Sequence, residues 1–88
     1  MTFSIEFTQQ AKDNLSKLDK SIQIRILKKI LQLEGEDLTS RHLKHGLPFF
    51  VEEVGGNRII FETDERNKTK TILFLGDHKQ YQKWYSEN

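Results

Sequence analysis

The hydrophobic residues of this chain change their spacing partway along it, and this change restricts the folds that the chain can adopt. Between residues 11 and 33, apolar side chains recur at every third or fourth position, which is the period of an amphipathic helix. From residue 49 onward they fall into three short runs separated by turn residues, which is the pattern of strands. Helices followed by grouped strands favour an α+β architecture over alternating α/β units.

Two helices are predicted in the first half of the chain. Ala11, Leu15 and Leu18 form an apolar stripe that follows Thr8, a residue type well suited to an N-cap. The segment from about Ile22 to Leu33 has a broader apolar face. We therefore expect a helical hairpin whose apolar side lies on a sheet.

Four strands and a final helix complete the expected fold. The runs Phe49–Val54, Asn57–Thr63 and Thr69–Leu75 predict three strands, and Phe3–Phe7 alternates as a further strand does. Gly55-Gly56 suits a tight hairpin because glycine adopts positive φ without a steric penalty.

A short C-terminal helix is predicted from His78 to Tyr85, because aromatic residues recur there at helical spacing. The predicted order is β-α-α-β-β-β-α. In this α+β fold an antiparallel sheet packs on the helical hairpin and the last helix is short. The 88 residues predict a single domain over 1–88.

Composition narrows the possible functions. The chain has no cysteine, which excludes a disulfide framework and a zinc–thiolate site and fits a cytoplasmic protein. No apolar run approaches the roughly 20 residues that a membrane span requires. The formal net charge is only +1, so binding to nucleic acid would have to depend on a local basic patch. We expect no cofactor.

Two segments resemble those of the RelE/ParE toxin superfamily. Residues Val54 to Ile60 read Val-Gly-Gly-Asn-Arg-Ile-Ile, similar to the family's glycine hairpin followed by an arginine on the central strand. Residues Gly76 to Tyr81 read Gly-Asp-His-Lys-Gln-Tyr, similar to the family's C-terminal site. The order of predicted elements is also similar over nearly the whole chain. The resemblance implies a toxin that a cognate antitoxin neutralises within a hetero-oligomer.

The family has two branches with different activities, and the resemblance implies one of these activities for this chain. One branch cleaves mRNA on the ribosome, and the ParE branch inhibits DNA gyrase. A third possibility is a degenerate member that only binds an antitoxin. The histidine, arginine and lysine residues of this chain favour the ribonuclease, because a gyrase inhibitor does not need them.

Metal-independent cleavage of RNA requires a base for the ribose 2′-OH, cations that stabilise the phosphorane and an acid for the leaving oxygen. Arg58 is assigned to the phosphate, since its planar guanidinium binds oxygens bidentately. His78 and one of two histidines in segment 36–48, preferably His45, are assigned to proton transfer. Lys44 is expected to stabilise a phosphate or a 2′-alkoxide. Tyr81 is expected to stack on a base or to donate to the phosphate.

Further residues are expected at the edge of this site. The expected RNA contacts are Arg41, His42, Lys70 and Lys79. Trp84 and Tyr85 are expected to contact the antitoxin.

Each assignment has a simpler alternative. His78 can merely precede the last helix, and Arg58 can form an ion pair with Glu53 or Glu62. His42 and His45 can be solvated residues, or their spacing can bind a metal. Without cysteine or a nearby acidic ligand, we expect no metal there.

Overall fold

The computed structural model describes residues 3–34, 41–42 and 49–87. Within these ranges the chain forms three helices and five strands. In chain order they are β1 (Ser4–Phe7), α1 (Gln9–Ser16), α2 (Lys20–Gln32), β2 (Arg41–His42), β3 (Phe49–Val54), β4 (Asn57–Asp64), β5 (Thr69–Asp77) and α3 (His78–Glu87). The predicted α+β class and element order are confirmed, with the two-residue strand β2 as an addition.

The strands form one sheet in the order β1-β5-β4-β3-β2. Strands β2 to β5 are antiparallel to their neighbours within this group, whereas β1 is parallel to β5. The described sheet is therefore mainly antiparallel, as expected, and the parallel pairing of β1 with β5 is an addition to that expectation. A tight turn forces two strands to be antiparallel, but β1 and β5 are not joined by one, so their relative direction is set by the intervening elements.

The start of α1 confirms the predicted cap. The Thr8 hydroxyl oxygen accepts a hydrogen bond from the Ala11 amide at 3.1 Å. The same hydroxyl lies 3.2 Å from the Ile72 carbonyl oxygen, to which it donates. Thr8 therefore satisfies an amide at the helix end and also joins α1 to β5.

One face of the sheet packs on the helical hairpin. Ile26 and Ile30 of α2 are buried there, together with Ala11 of α1. Their partners on the sheet include Ile59 and Leu75. Burial of such aliphatic side chains contributes about 1.5–3 kcal/mol each, so this layer is the main source of stability.

The opposite face of the sheet carries α3. Because side chains alternate along a strand, Phe74 points away from the face to which Leu75 contributes. The Phe74 ring stacks on Trp84 of α3, with ring centroids 5.6 Å apart. The sheet thus lies between two helical layers, which explains why β4 and β5 contain consecutive apolar residues.

Two turns join the last three strands. Gly55 has a φ of +59°, and it is the only described glycine with a positive φ. The Gly55-Gly56 turn therefore requires the left-handed conformation at its first glycine only. In the second turn the Asp64 carboxylate accepts hydrogen bonds from the Asn67 side chain, the Asn67 amide and the Arg66 amide. These bonds, chiefly those from Asn67, lower the pKa of Asp64.

Lys70 is placed differently from its predicted role. Its side chain is only 1% exposed, and its ammonium donates to the Leu33 carbonyl oxygen at 2.6 Å. The ammonium also lies 4.3 Å from the centroid of the Phe3 ring. The expectation that Lys70 contacts RNA is therefore corrected, since a buried ammonium that binds the end of α2 does not reach a phosphate.

None of the described helices is long and apolar enough to cross a membrane.

Candidate functional site

Arg58 is the centre of the candidate site. Its Cα lies opposite Glu53 of β3 and opposite Gly76 of β5. The guanidinium carbon is 4.6 Å from the centroid of the Tyr81 ring, and Nε is 3.8 Å from a carboxylate oxygen of Glu53. The side chain remains 28% exposed, so the guanidinium is positioned by two neighbours and still reaches solvent.

The ion pair with Glu53 was one of the alternatives that the sequence left open. Its distance is long and both side chains are partly exposed, so the pair contributes at most about 1 kcal/mol. A contact this weak can be exchanged for a phosphate oxygen at little cost. The ion pair and a phosphate-binding role for Arg58 are therefore compatible.

The N-terminus of α3 is fixed by a reciprocal capping interaction. The Gln80 amide donates to Asp77 Oδ1, and the Asp77 amide donates to Gln80 Oε1, both at 2.9 Å. This capping box satisfies two amides at the helix end. It places the exposed His78 in the first turn and directs Tyr81 back toward Arg58.

Gly76 brings α3 close to the sheet. A Cβ atom at this position would lie 2.7 Å from the ring of Phe74 and 2.7 Å from Gln80 Oε1. Real Cβ atoms do not approach other atoms so closely, so any side chain here would displace α3 or Phe74. The absence of a side chain thus permits the contact between Tyr81 and Arg58.

Aromatic rings continue from Tyr81 along α3. The Tyr81 ring centroid is 6.4 Å from that of Trp84 and 5.8 Å from that of Tyr85. Trp84 is half-buried against Phe74, whereas Tyr85 is 39% exposed. Trp84 therefore anchors α3 on the sheet, and Tyr85 is accessible to a partner.

The predicted site residues fall into three groups. Arg58, Tyr81, His78 and Lys79 lie at the end of the sheet where β5 meets α3. The backbone of Arg41 and His42 pairs with β3 at the sheet edge beyond Arg58, and the remaining predicted residues of segment 36–48, Lys44 and His45, lie outside the described residues. Lys70 is in the interior and is not part of the site.

Sequence reasoning missed the residues that support the site. Asp77 and Gln80 were not singled out, although an Asp followed three residues later by Gln is a recognisable capping signal. The close approach at Gly76 had no comparable signal, because it depends on the position of the Phe74 ring.

The arrangement provides a partly exposed guanidinium, a phenol and an imidazole on neighbouring elements. A guanidinium binds phosphate oxygens, an aromatic ring stacks on a base and an imidazole transfers protons near neutral pH. Among the residues that the structure describes, no group of three or more His, Asp or Glu side chains is arranged to hold a metal. The described part of the site therefore places a cation beside an aromatic ring, with an imidazole on the same helix as that ring.

Comparison with known proteins defines the fold as RelE-like. No family model and no curated protein matches the sequence. Among solved structures, a chain of the RelBE2 toxin-antitoxin complex from Mycobacterium tuberculosis is 22% identical, with a TM-score of 0.79 over 89% of this chain and 100% of that one. A chain of the RelE–RelB complex from Pyrococcus horikoshii is 23% identical, with a TM-score of 0.73 over 88% and 96%.

A mutant of the Escherichia coli toxin RelE in the free state is 15% identical and has a TM-score of 0.81, over 97% of this chain and 93% of that one. Similarity at these identities shows a shared fold, and the RelE-like fold that the resemblance implied is thereby confirmed. Activity has to be argued from the site itself.

Proposed function

We propose that this protein is the toxin of a toxin-antitoxin system and that it stops translation by cleaving mRNA on the ribosome. The RelE-like fold and the residues around Arg58 support this proposal. The observation that carries it is the Arg58 guanidinium, which lies over the Tyr81 ring and is still open to solvent. Such a cation beside an aromatic ring can hold a phosphate while the adjacent base stacks.

The proposed reaction needs no metal. The 2′-oxygen attacks the adjacent phosphorus, the bond from phosphorus to the 5′-oxygen breaks, and a 2′,3′-cyclic phosphate forms. A base accepts the 2′-proton and an acid protonates the departing 5′-oxygen. Arg58 stabilises the charge on the phosphorane, and His78 is one of the two proton-transfer groups. His45, Lys44 and the RNA contacts Arg41, His42 and Lys79 complete the proposed site.

The proposed partner is a cognate antitoxin that forms a hetero-oligomer with the toxin in the cytoplasm. Several structurally similar chains were solved in complexes of RelE with RelB. The exposed ring of Tyr85 and the neighbouring Trp84 are the proposed antitoxin contacts on α3. Aromatic side chains on one helical face fit a partner that docks an apolar helix or strand.

Cell-free translation followed by primer extension tests the activity. The wild-type chain is expected to cut a translated message in the ribosomal A site. Arg58→Ala should reduce the cleavage rate by about 100-fold, because a positioned donor to the transition-state charge is lost. His78→Ala should reduce it by about 100-fold or more, because a proton-transfer group is lost.

The matched control is Arg66→Ala, which removes an exposed arginine from the turn at the opposite end of β4. This variant should retain wild-type cleavage. If Arg58→Ala and His78→Ala both cleave normally, the site is wrong. If the wild-type chain inhibits gyrase supercoiling while translation proceeds, it is a gyrase inhibitor. If it does neither and only binds an antitoxin, it is a degenerate member.

A further inference from the structure

We propose that the outer surface of α2 is a docking surface for an acidic amphipathic helix of a partner protein. The surface consists of Ile24, Leu27 and Leu31, which we call the α2 stripe. It lies on the side of the sheet opposite to Arg58 and Tyr81, so the proposal goes beyond the proposed function. The argument depends on the exposure, the spacing and the charged borders of the stripe.

The α2 stripe contains most of the exposed large apolar side chains in the described ranges. Ile24 is 46% exposed, Leu27 41% and Leu31 64%, and the fourth such residue is Tyr85 on α3. Single exposed apolar residues are ordinary on protein surfaces. Three at spacings of three and four on one helix lie on the same face, and apolar residues grouped on an exposed face are a feature of interaction sites.

The spacing of the stripe fits a partner helix. Leu27 follows Ile24 by three residues and Leu31 follows Leu27 by four, which are the a and d positions of a heptad. Along the helix axis the three side chains span about 10 Å, roughly two helical turns. Another helix with an apolar seam can therefore pack along the stripe by inserting its side chains between these three.

The elements that the structure describes leave the stripe exposed. Helix α2 is already packed through its other face, where Ile26 and Ile30 are buried. On one side the Gln23 amide group donates to the Leu15 carbonyl oxygen of the first helical segment at 2.7 Å. Elsewhere on α2, Lys29 forms a salt bridge with Glu52 of β3, with Nζ 3.3 Å from Oε1. These contacts fix the rotation of α2, so the stripe faces outward in the folded chain.

The charges around the stripe specify the partner. Helix α2 contains four basic residues and no acidic residue, and Lys29 is the one paired with Glu52. Lys20 lies one helical turn before Ile24, and Lys28 lies between the turns that carry Ile24 and Leu31. A helix with Asp and Glu beside its apolar seam would place opposite charges against these lysines, which gives both affinity and specificity.

Other occupants fit less well. A second copy of this chain would bring two basic helices together, and like charges across an interface are unfavourable. RNA would pair with the lysines but would leave the apolar stripe in contact with a charged backbone. An acidic helix satisfies both features of the surface.

A displayed library of random helical peptides provides the test, because it does not presuppose the partner. Selection against the wild-type chain should recover peptides with an apolar seam bordered by Asp and Glu. The triple variant Ile24→Gln, Leu27→Gln, Leu31→Gln should bind them at least about tenfold more weakly, since apolar anchors are lost while helix propensity is kept. Circular dichroism checks that the triple variant is folded. If the triple variant is unfolded, the single variant Leu31→Gln is tested in its place.

The matched control is Gln32→Ala, which changes an exposed residue of α2 outside the stripe and should bind the peptides as the wild type does. The proposal is overturned if no peptides are recovered, if those recovered are not acidic, or if they bind the triple variant equally well. It is also overturned if the stripe variants abolish dimerisation or RNA binding by the chain alone. This test measures peptide binding and not translation. Its result is therefore independent of whether the chain cleaves mRNA.

Discussion

At Gly76 the sheet and the C-terminal helix approach each other more closely than a residue with a side chain would allow. The two atoms nearest to an added methyl group would belong to Phe74 and Gln80, which hold α3 in place. The distance between Arg58 and Tyr81 therefore depends on a glycine whose own atoms supply no functional group. At the scale of single residues, the site depends on the small size of Gly76 as well as on the functional groups of Arg58 and Tyr81.

Gly76→Ala is expected to destabilise the fold by about 1–3 kcal/mol, because the added methyl group overpacks the contact between β5 and α3. Urea unfolding monitored by tryptophan fluorescence measures this change. Gly56→Ala is the matched control, since nothing lies within 4 Å of a Cβ at that position. It should change the free energy of unfolding by less than about 0.5 kcal/mol. Equal effects of the two substitutions would contradict the close approach at Gly76.

Lys70 shows how residue identity can mislead. Lysine is rarely buried, and Lys70 was among the residues expected to contact RNA. In the structure its ammonium instead binds the carbonyl oxygen of Leu33, where α2 ends. A cation is favourable at that place because the last carbonyl groups of a helix lack partners within the helix.

At the scale of elements, α3 carries three residues of the candidate site, and β4 carries Arg58. The first turn of α3 carries His78 and Lys79, and Tyr81 follows at the end of that turn. The capping box between Asp77 and Gln80 decides where this helix begins. Since the helix has no fully buried residue, its attachment depends on this cap and on the stacking of Trp84 against the sheet.

Asp77→Ala is expected to loosen the start of α3 and to cost about 1 kcal/mol, because the Gln80 amide loses its acceptor. Amide hydrogen exchange should become faster in the first turns of α3, while the strands keep their protection. Ser86→Ala removes a side-chain hydrogen bond at the other end of the same helix and serves as the control. If exchange at the start of α3 is the same in both variants, the cap does not control the helix.

At the scale of the whole molecule, charge is distributed unevenly although the net charge is only +1. Arg58 and the first turn of α3 provide cations at one end of the sheet. At the other end an open groove is lined by several acidic side chains. They are Glu6, Glu62, Asp64 and Glu65. A phosphate backbone would be repelled there, so the proposed RNA contact is confined to the end that carries Arg58.

This confinement predicts a weak salt dependence for binding to single-stranded RNA. With one to four cations in contact, the slope of log K against log salt should lie between about −0.7 and −3. Arg58→Ala should make the slope less negative by about 0.7, and fluorescence anisotropy over a salt series measures it. Arg66→Ala, at the acidic end, should leave the slope unchanged. A steep slope that responds equally to both substitutions would place RNA over the whole face.

Much of the fold could be predicted because the deciding interactions are local. The bounds of β3 and the starts of β4, β5 and α3 agree with the sequence, since hydrophobic period, turn glycines and strand-forming residues act over a few positions. Arg58 and Tyr81, which were both selected from the sequence, lie beside each other in the structure. Their selection depended on the resemblance of two short segments to a known family.

The amino-acid sequence by itself determined the order of the elements, the α+β class and the residue types available for chemistry. Only the tertiary structure decided that β1 is parallel to β5, that Lys70 is buried and that the Arg58 guanidinium lies over the Tyr81 ring. The physical reason is the separation along the sequence between the residues that interact. Hydrophobic periodicity and capping are read within one or two turns of chain, whereas strand direction, burial and ring contacts depend on residues far apart in the sequence that meet only after folding.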